Sequence, residues 1–174
     1  MRMHFVFAAL ATAVLAACSN TPATNLPHAQ AKLQPIGNSG VTGSVKLVEQ
    51  QDGHVAVSAL VYGLKPNASH GFHIHENGSC QDSGNAAGAH FNPMGSAHGK
   101  YTAPQHHAGD LPSLQADANG VATVNAITHN VSLSSGAKSI VGRSIIVHAS
   151  PDDYITQPNG NAGDRIACAI IAAH

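Results

Sequence analysis

Short runs in which apolar residues alternate with polar or small residues recur along the chain, and no amphipathic helix of useful length interrupts them. Residues 41–48 and 55–61 alternate in this way on either side of Asp52-Gly53, a hairpin signal. Further strand patterns follow at 70–76, 121–127, 131–133, 144–148 and 166–171. Many short strands separated by turn signals predict an all-β fold, either a β-sandwich or a barrel.

A long segment without strand patterns, residues 77–120, is rich in Gly, Pro, Asn, Ser and His. A stretch of this length in a compact domain is either disordered or functional. Seven of the thirteen histidines fall between His70 and His107. This density of ligands favours function, because a metal ion and a disulfide can order a loop that hydrophobic burial cannot.

His73 and His75 stand one residue apart inside a predicted strand. Side chains on a strand alternate faces with period two, so both imidazoles point to the same side. Two imidazoles on one face can hold a borderline or soft metal ion, whereas hard cations prefer oxygen ligands. The pair therefore predicts a metal site.

Further potential ligands follow this pair. His90, His98, His107 and Asp110 lie in the long loop, and His148 ends a predicted strand that delivers it to a rim. Imidazoles with one carboxylate suit zinc, while an all-imidazole array suits copper. The chain has enough ligands for two ions.

The N-terminus has the features of an export signal. Arg2 precedes an apolar run, residues 5–15, that is too short to span a bilayer as a helix, so residues 1–17 are predicted to be a signal peptide rather than an anchor helix. Leu15-Ala16-Ala17-Cys18 resembles a bacterial lipobox, which implies a lipid on Cys18; cleavage after Ala17 without lipid is the alternative. Residues 18–39 lack periodicity and are predicted to be a flexible linker, with the folded domain at 40–174.

Three cysteines in an exported chain leave one over when two form a pair. Lipidation of Cys18 leaves Cys80 and Cys168, which can form a disulfide in an oxidising compartment. Zinc ligation is the competing interpretation, but the chain contains no Cys-x-x-Cys pair. We therefore expect the disulfide, and we expect the protein in the periplasm or cell envelope as a membrane-anchored lipoprotein.

Charge excludes one class of partner. Eight Lys and Arg against nine Asp and Glu give a net charge of −1, with no basic run. No nucleic-acid partner is expected, and a membrane is expected to be contacted only through the lipid on Cys18.

Five motifs, in order from about residue 41 to the C-terminus, together resemble copper/zinc superoxide dismutase. They are Gly71-Phe72-His73-Ile74-His75-Glu76, Gly88-Ala89-His90-Phe91-Asn92-Pro93, His107-Ala108-Gly109-Asp110-Leu111, Gly142-Arg143 through Val147-His148, and Gly160-Asn161-Ala162-Gly163-Asp164-Arg165-Ile166-Ala167-Cys168. The resemblance implies a Greek-key β-sandwich or barrel of about eight antiparallel strands with long metal-binding loops.

The resemblance also implies one copper and one zinc ion per chain. The copper ligands it implies are His73, His75, His90 and His148, and the zinc ligands are His90, His98, His107 and Asp110. His90 then bridges the two metals. The His-x-x-Asp spacing of the family selects His107 over His106, whose role stays open.

Three further roles follow from the resemblance. Asp152 matches a carboxylate that orients metal ligands, Arg165 matches an arginine that attracts the substrate anion at the rim, and Cys80 and Cys168 match the intrasubunit disulfide. Arg143 and His70 are expected to be structural residues that bond to backbone. The remaining histidines match no motif and are expected at the surface: His28, His54, His129 and His174.

The implied reaction is dismutation of superoxide to dioxygen and hydrogen peroxide, with copper changing its redox state and His90 releasing and regaining a proton. A non-catalytic copper- and zinc-binding or delivery protein of the same fold is the alternative, favoured if a copper ligand or Arg165 were missing. The sequence leaves both a monomer and a homodimer open.

Overall fold

The computed structural model describes residues 25–174, so the predicted signal peptide and Cys18 lie outside the described residues. The described part forms one 3-10 helix, Asp82–Ala87, and ten β-strands: β1 (His28–Pro35), β2 (Thr42–Glu49), β3 (Val55–Tyr62), β4 (Ser69–His70), β5 (Phe72–His75), β6 (Leu114–Gln115), β7 (Ala122–Thr128), β8 (Ser144–His148), β9 (Arg165–Ile170) and β10 (Ala172–Ala173). No helix among residues 25–174 is long and apolar enough to cross a bilayer.

Eight of these strands form one antiparallel sheet, and β4 and β6 form a second, two-stranded sheet. The large sheet has the order β5-β8-β9-β1-β2-β3-β7, with β10 paired to β1. Neighbours in this order are often distant in sequence, which matches a Greek-key rather than a simple meander. The predicted all-β antiparallel fold is confirmed.

The alternation predicted from the sequence builds the core. In the β2–β3 hairpin, Val45 and Leu47 face inward together with Val57 and Val61, and all four are at most 1% exposed. Burying each side chain of this size stabilises the fold by about 1.5–3 kcal/mol before entropy is subtracted. Gly53 takes a positive φ of 81° at the turn, as the hairpin signal predicts.

The sheet begins earlier than expected, because residues 28–35 form β1. The prediction of a flexible linker over 18–39 is therefore wrong for this stretch, and the ordered sheet starts before residue 40. Ala29, Ala31 and Leu33 are buried in the core, while Gln and Lys alternate with them on the outside. β1 pairs with β2 along six registered positions and with β9 at its end.

Residues 131–133 do not form the predicted strand. The carboxylate of Glu49 accepts hydrogen bonds from the backbone N–H of Leu133 at 2.7 Å and of Ser134 at 3.0 Å. These donors are then unavailable to a neighbouring strand, and only an isolated bridge between Ser132 and Ser139 forms. The Glu49 carboxylate thus takes the place of a neighbouring strand as hydrogen-bond acceptor for this segment.

The Cys80–Cys168 disulfide is present, with the two Cα atoms 5.8 Å apart. It joins the segment that precedes the 3-10 helix to β9 in the middle of the large sheet. The long loop that follows β5 is thus covalently attached to the sheet, close to the side chains described next.

Candidate metal centre

β5 delivers His73 and His75 to the side of the strand away from the hydrophobic core. Phe72 and Ile74 point into the core and are fully buried, and the two histidines alternate with them. β5 pairs with β8, whose last residue is His148. His148 Nε2 lies 3.4 Å from His75 Nε2, so the two strands bring these nitrogens together.

The long loop returns along the free edge of β5. Ile74 donates its N–H to the Gly109 carbonyl at 2.9 Å, and Phe91 donates to the Ile74 carbonyl at 2.8 Å. A side chain at Gly109 would collide with the Ile74 carbonyl, so this close approach requires glycine. The backbone contacts carry His90 and Asp110 to either end of the histidine pair, since His75 bridges to His90 and His73 to Asp110.

Two groups of buried side chains result, and they share one member. In each group the candidate ligand atoms all lie within 4.8 Å of one another. The first group is His73, His75, His90 and His148, and the second is His90, His98, His107 and Asp110. The structure thus brings together every residue for which the sequence predicted a metal-ligand role.

Backbone carbonyls fix the orientation of two rings in the first group. His75 Nδ1 lies 2.9 Å from the Gly88 carbonyl, and His148 Nδ1 lies 3.1 Å from the Gly163 carbonyl. A carbonyl accepts only, so each Nδ1 carries the proton and each Nε2 keeps a free lone pair. Both free lone pairs belong to the nitrogens that face each other across the site.

Asp152 fixes one ring in each group. Its Oδ2 lies 2.8 Å from His73 Nε2, and its Oδ1 lies 2.9 Å from His98 Nε2 and accepts the N–H of Tyr154 at 2.7 Å. The Nδ1 atoms of the two rings are consequently the ones available as ligands. One buried carboxylate therefore orients both groups.

The second group converges on the carboxylate of Asp110. Its Oδ1 lies 2.9 Å from His90 Nδ1, 3.1 Å from His98 Nδ1 and 3.6 Å from His107 Nδ1. Its Oδ2 accepts the backbone N–H of His107 and of Gly99. Three nitrogens and one oxygen around a common point match the ligand set of a tetrahedral zinc site.

Four buried ring nitrogens have no hydrogen-bond partner among the described residues. One of them, His70 Nε2, lies outside both groups, and the other three belong to them: His73 Nδ1, His90 Nε2 and His107 Nδ1. Leaving a buried polar atom unsatisfied costs about 1–3 kcal/mol. All three atoms face the interior of the two groups, where a metal ion would satisfy them. The residues therefore fit a copper ion in the first group and a zinc ion in the second.

Burial controls protonation in the first group. It lowers the pKa of His73 to about 4 and that of His148 to about 3, and it lowers the pKa of His75 as well. These rings are neutral at physiological pH, which is the form in which an imidazole nitrogen binds a metal.

The second group behaves differently because two carboxylates contact it, its own member Asp110 and the neighbouring Asp152. Burial opposes the charged form of His98, but hydrogen bonds to Asp110 and Asp152 outweigh it and raise its pKa to about 9. Burial would raise the pKa of Asp110, yet hydrogen bonds from His90 and His98 lower it overall. The group holds a proton on His98 that a metal ion would have to displace.

Arg165 lies beside the first group at the mouth of an open cavity. It is the cross-strand partner of His148 at the irregularity between β8 and β9. Its guanidinium donates to the carbonyls of Gly84 at 2.5 Å and Gly88 at 2.6 Å. The Gly88 carbonyl also holds His75, so one peptide group positions the arginine and a candidate ligand together.

The cavity has a volume of about 550 Å³ and opens onto the first group. His75, His90 and His148 form part of its wall, and Arg165 lies in the same wall. A small anion that enters it meets imidazole nitrogens and a fixed guanidinium. Of the second group, only the shared member His90 lines this cavity.

The remaining predictions fall outside these groups. His70 Nδ1 bonds to the His148 carbonyl at 2.9 Å, and Arg143 donates to the Glu76 and Ser139 carbonyls, so both are structural as expected. His106 belongs to neither group, and its Nδ1 bonds to the His107 carbonyl at 2.7 Å. The unmatched histidines also lie apart from both groups: His28, His54, His129 and His174.

One contributor was missed in the sequence. Gln157 accepts the His98 N–H through Oε1 at 2.8 Å and donates through Nε2 to the His98 carbonyl at 2.9 Å. These two hydrogen bonds hold the backbone of His98, a candidate zinc ligand, against the loop that follows Asp152. A glutamine in a loop carries no pattern that distinguishes it from a solvated residue.

Comparisons with known proteins agree with this geometry. A family model described as copper/zinc superoxide dismutase matches residues 41–171. A Cu-Zn superoxide dismutase of Paramecium bursaria Chlorella virus 1 is 44% identical over 137 residues, which cover 75% of this chain and 72% of the relative. Superoxide dismutase (Cu-Zn) 2 of Aquifex aeolicus is 40% identical over 136 residues, covering 75% of this chain and 79% of the relative. The chain therefore belongs to the copper/zinc superoxide dismutase family, and it is an oxidoreductase that uses one copper and one zinc ion to convert superoxide to dioxygen and hydrogen peroxide.

Proposed function

We propose that copper binds in the first group and zinc in the second, with His90 shared between them. The observation that supports this division is the set of unpartnered buried nitrogens, which includes His73 Nδ1 and His90 Nε2 on one side and His107 Nδ1 on the other. An all-imidazole set favours copper, and a set that includes the Asp110 carboxylate favours zinc.

Copper, when bound, supplies the one-electron redox chemistry that zinc lacks. His90 has one nitrogen in each group: Nδ1 bonds to Asp110, and Nε2 faces the cavity side without a partner. Nε2 is thus an atom at which a proton can be held and released during the reaction, while the contact at Nδ1 keeps the ring in place. We assign His90 this proton-carrying role.

Arg165 is proposed to attract and orient the superoxide anion. Its two carbonyl contacts fix the guanidinium at the cavity wall, and a fixed positive charge loses little entropy when it meets an anion. Asp152 is proposed as the positioning residue that holds His73 and His98 in their ligand orientation.

His75→Ala tests the assignment of the copper group. The variant removes one ligand of that group and none of the zinc group, so we expect zinc content to be retained and superoxide removal to be lost. His129→Ala is the matched control, because its exposed ring lies outside both groups. Wild-type activity in His75→Ala, with zinc bound and copper absent, would overturn the assignment.

We also propose that residues 1–17 are a signal peptide and that a lipid on Cys18 anchors the domain at the cell envelope. The lipobox-like sequence before Cys18 supports the anchor, and the Cys80–Cys168 disulfide supports an oxidising compartment such as the periplasm. Mass spectrometry of the mature N-terminus tests the proposal. A diacylglycerol-modified cysteine is expected, and an unmodified N-terminus in the wild type would contradict it.

A further inference from the structure

The wall of the active-site cavity contains two charged side chains of opposite sign, Asp164 and Arg165. The rest of the wall consists of uncharged residues and of three histidines of the first group: His75, His90 and His148. The loop from residue 153 to 159 adds no Lys or Arg. Arg165 is therefore opposed by a carboxylate at its own cavity.

The two charges do not neutralise each other as an ion pair. No ion pair or side-chain hydrogen bond joins Asp164 to any residue in the described part of the chain, and its side chain is exposed. Arg165 instead uses two of its nitrogens on the Gly84 and Gly88 carbonyls. Each charge thus acts separately on an anion that approaches through the cavity.

We infer that Asp164 slows the entry of anions into this cavity and weakens their binding there. Superoxide carries one negative charge, so a carboxylate in the wall raises the free energy of its approach while Arg165 lowers it. A metal ion bound in the first group would add positive charge beside Arg165, and Asp164 would oppose that charge as it opposes the guanidinium. The inference rests on the proposed binding of copper in the first group.

The charge of Asp164 can be removed without disturbing the contacts of its backbone. Asp164 contributes its backbone carbonyl to the N–H of Ala149 at 2.8 Å, and asparagine keeps this contact and the shape of the side chain. A unit charge about 10 Å or less from the path of an anion changes the encounter rate about two- to tenfold at low ionic strength. The effect shrinks at about 1 M salt, where the Debye length is about 3 Å.

The test compares wild type, Asp164→Asn and Asp164→Lys, each loaded with copper and zinc. Asp52→Asn is the control, because it removes the same charge from an exposed hairpin turn that does not line the cavity. The first measurement is the second-order rate of superoxide removal as a function of ionic strength. The second is the affinity of copper for azide, an anion of the same charge, followed by its absorption band.

At low ionic strength we expect the rate and the azide affinity to rise about two- to tenfold in Asp164→Asn, and further in Asp164→Lys. The gain should fall as salt is added, and Asp52→Asn should match the wild type. An unchanged rate and azide affinity in both Asp164 variants of an active enzyme would overturn this inference and leave the proposed function intact. Inactive wild-type protein with both metals bound would instead overturn the proposed function.

Discussion

Replacing Asp152 with asparagine should weaken metal binding although Asp152 belongs to neither group of ligands. The carboxylate accepts hydrogen bonds from two imidazoles, His73 at 2.8 Å and His98 at 2.9 Å, through different oxygens. Asparagine has one oxygen and one NH₂ group, so it can accept from only one of the two rings through its oxygen. The other ring would face a donor, and it can relieve the conflict only by moving its proton to Nδ1, its candidate ligand atom.

The magnitude follows from the loss of one orienting contact. Removing a hydrogen-bond partner of a metal-binding histidine typically costs 10- to 100-fold in metal affinity, or about 1.4–2.7 kcal/mol. We therefore expect at least one of the two ions to bind about 10- to 100-fold more weakly in Asp152→Asn. Copper and zinc affinities can be measured separately by competition with a chromophoric chelator.

Asp153→Asn is the matched control. Asp153 is the neighbouring residue, but its carboxylate bonds only to Ile155 and Thr156 in its own exposed loop. The Asp153→Asn variant should bind copper and zinc as tightly as the wild type does. Asp152→Asn protein that binds both ions within about threefold of the wild type would refute the reasoning, and so would an equal loss in both variants.

Two further predictions concern the zinc group and the disulfide. The pKa of His98 is raised to about 9, so this ring is protonated in the metal-free protein at pH 7.5. Zinc binding should therefore release about one proton, and the apparent zinc affinity should rise with pH until about pH 9. Calorimetry in buffers of different ionisation enthalpy measures this release, and its absence would contradict the prediction. Replacing Cys80 and Cys168 with serine removes a cross-link between residues that are 88 positions apart in the sequence. The free energy of unfolding of the metal-free protein, measured in urea, should fall by about 4–5 kcal/mol. A loss below about 1 kcal/mol would contradict this prediction.

The part of the site that lies on a strand could be predicted from local pattern. Strand periodicity alone puts His73 and His75 on one face, and the buried Phe72 and Ile74 between and beside them show why that face is turned from the core. The position of His148 at a strand end follows from the continuous apolar run, residues 145–147, that precedes it.

The loop residues required the resemblance to a family. His90, His98 and Asp110 sit in a segment without periodicity, and their meeting depends on backbone contacts such as Gly109 to Ile74. Nothing local predicts which nitrogen of a ring is free, because that depends on distant carbonyls such as Gly88.

The two places where the fold differs from the prediction, β1 and residues 131–133, have physical causes. Alternation of alanine with glutamine gives β1 a weak hydrophobic signal, although Ala29 and Ala31 are buried in the core once β1 pairs with β2. The stretch 131–133 has the composition of a strand, but the remote Glu49 side chain takes its backbone donors. Both outcomes are decided by tertiary contacts that a local pattern does not contain.

Metal content per chain measured together with activity is the most direct test of the account. Purified protein loaded with both metals should contain one copper and one zinc ion per chain and should remove superoxide. Protein that holds zinc alone should have no activity, because zinc has no redox chemistry. Activity in zinc-only protein, or none in protein that holds one of each ion, would contradict the central claim.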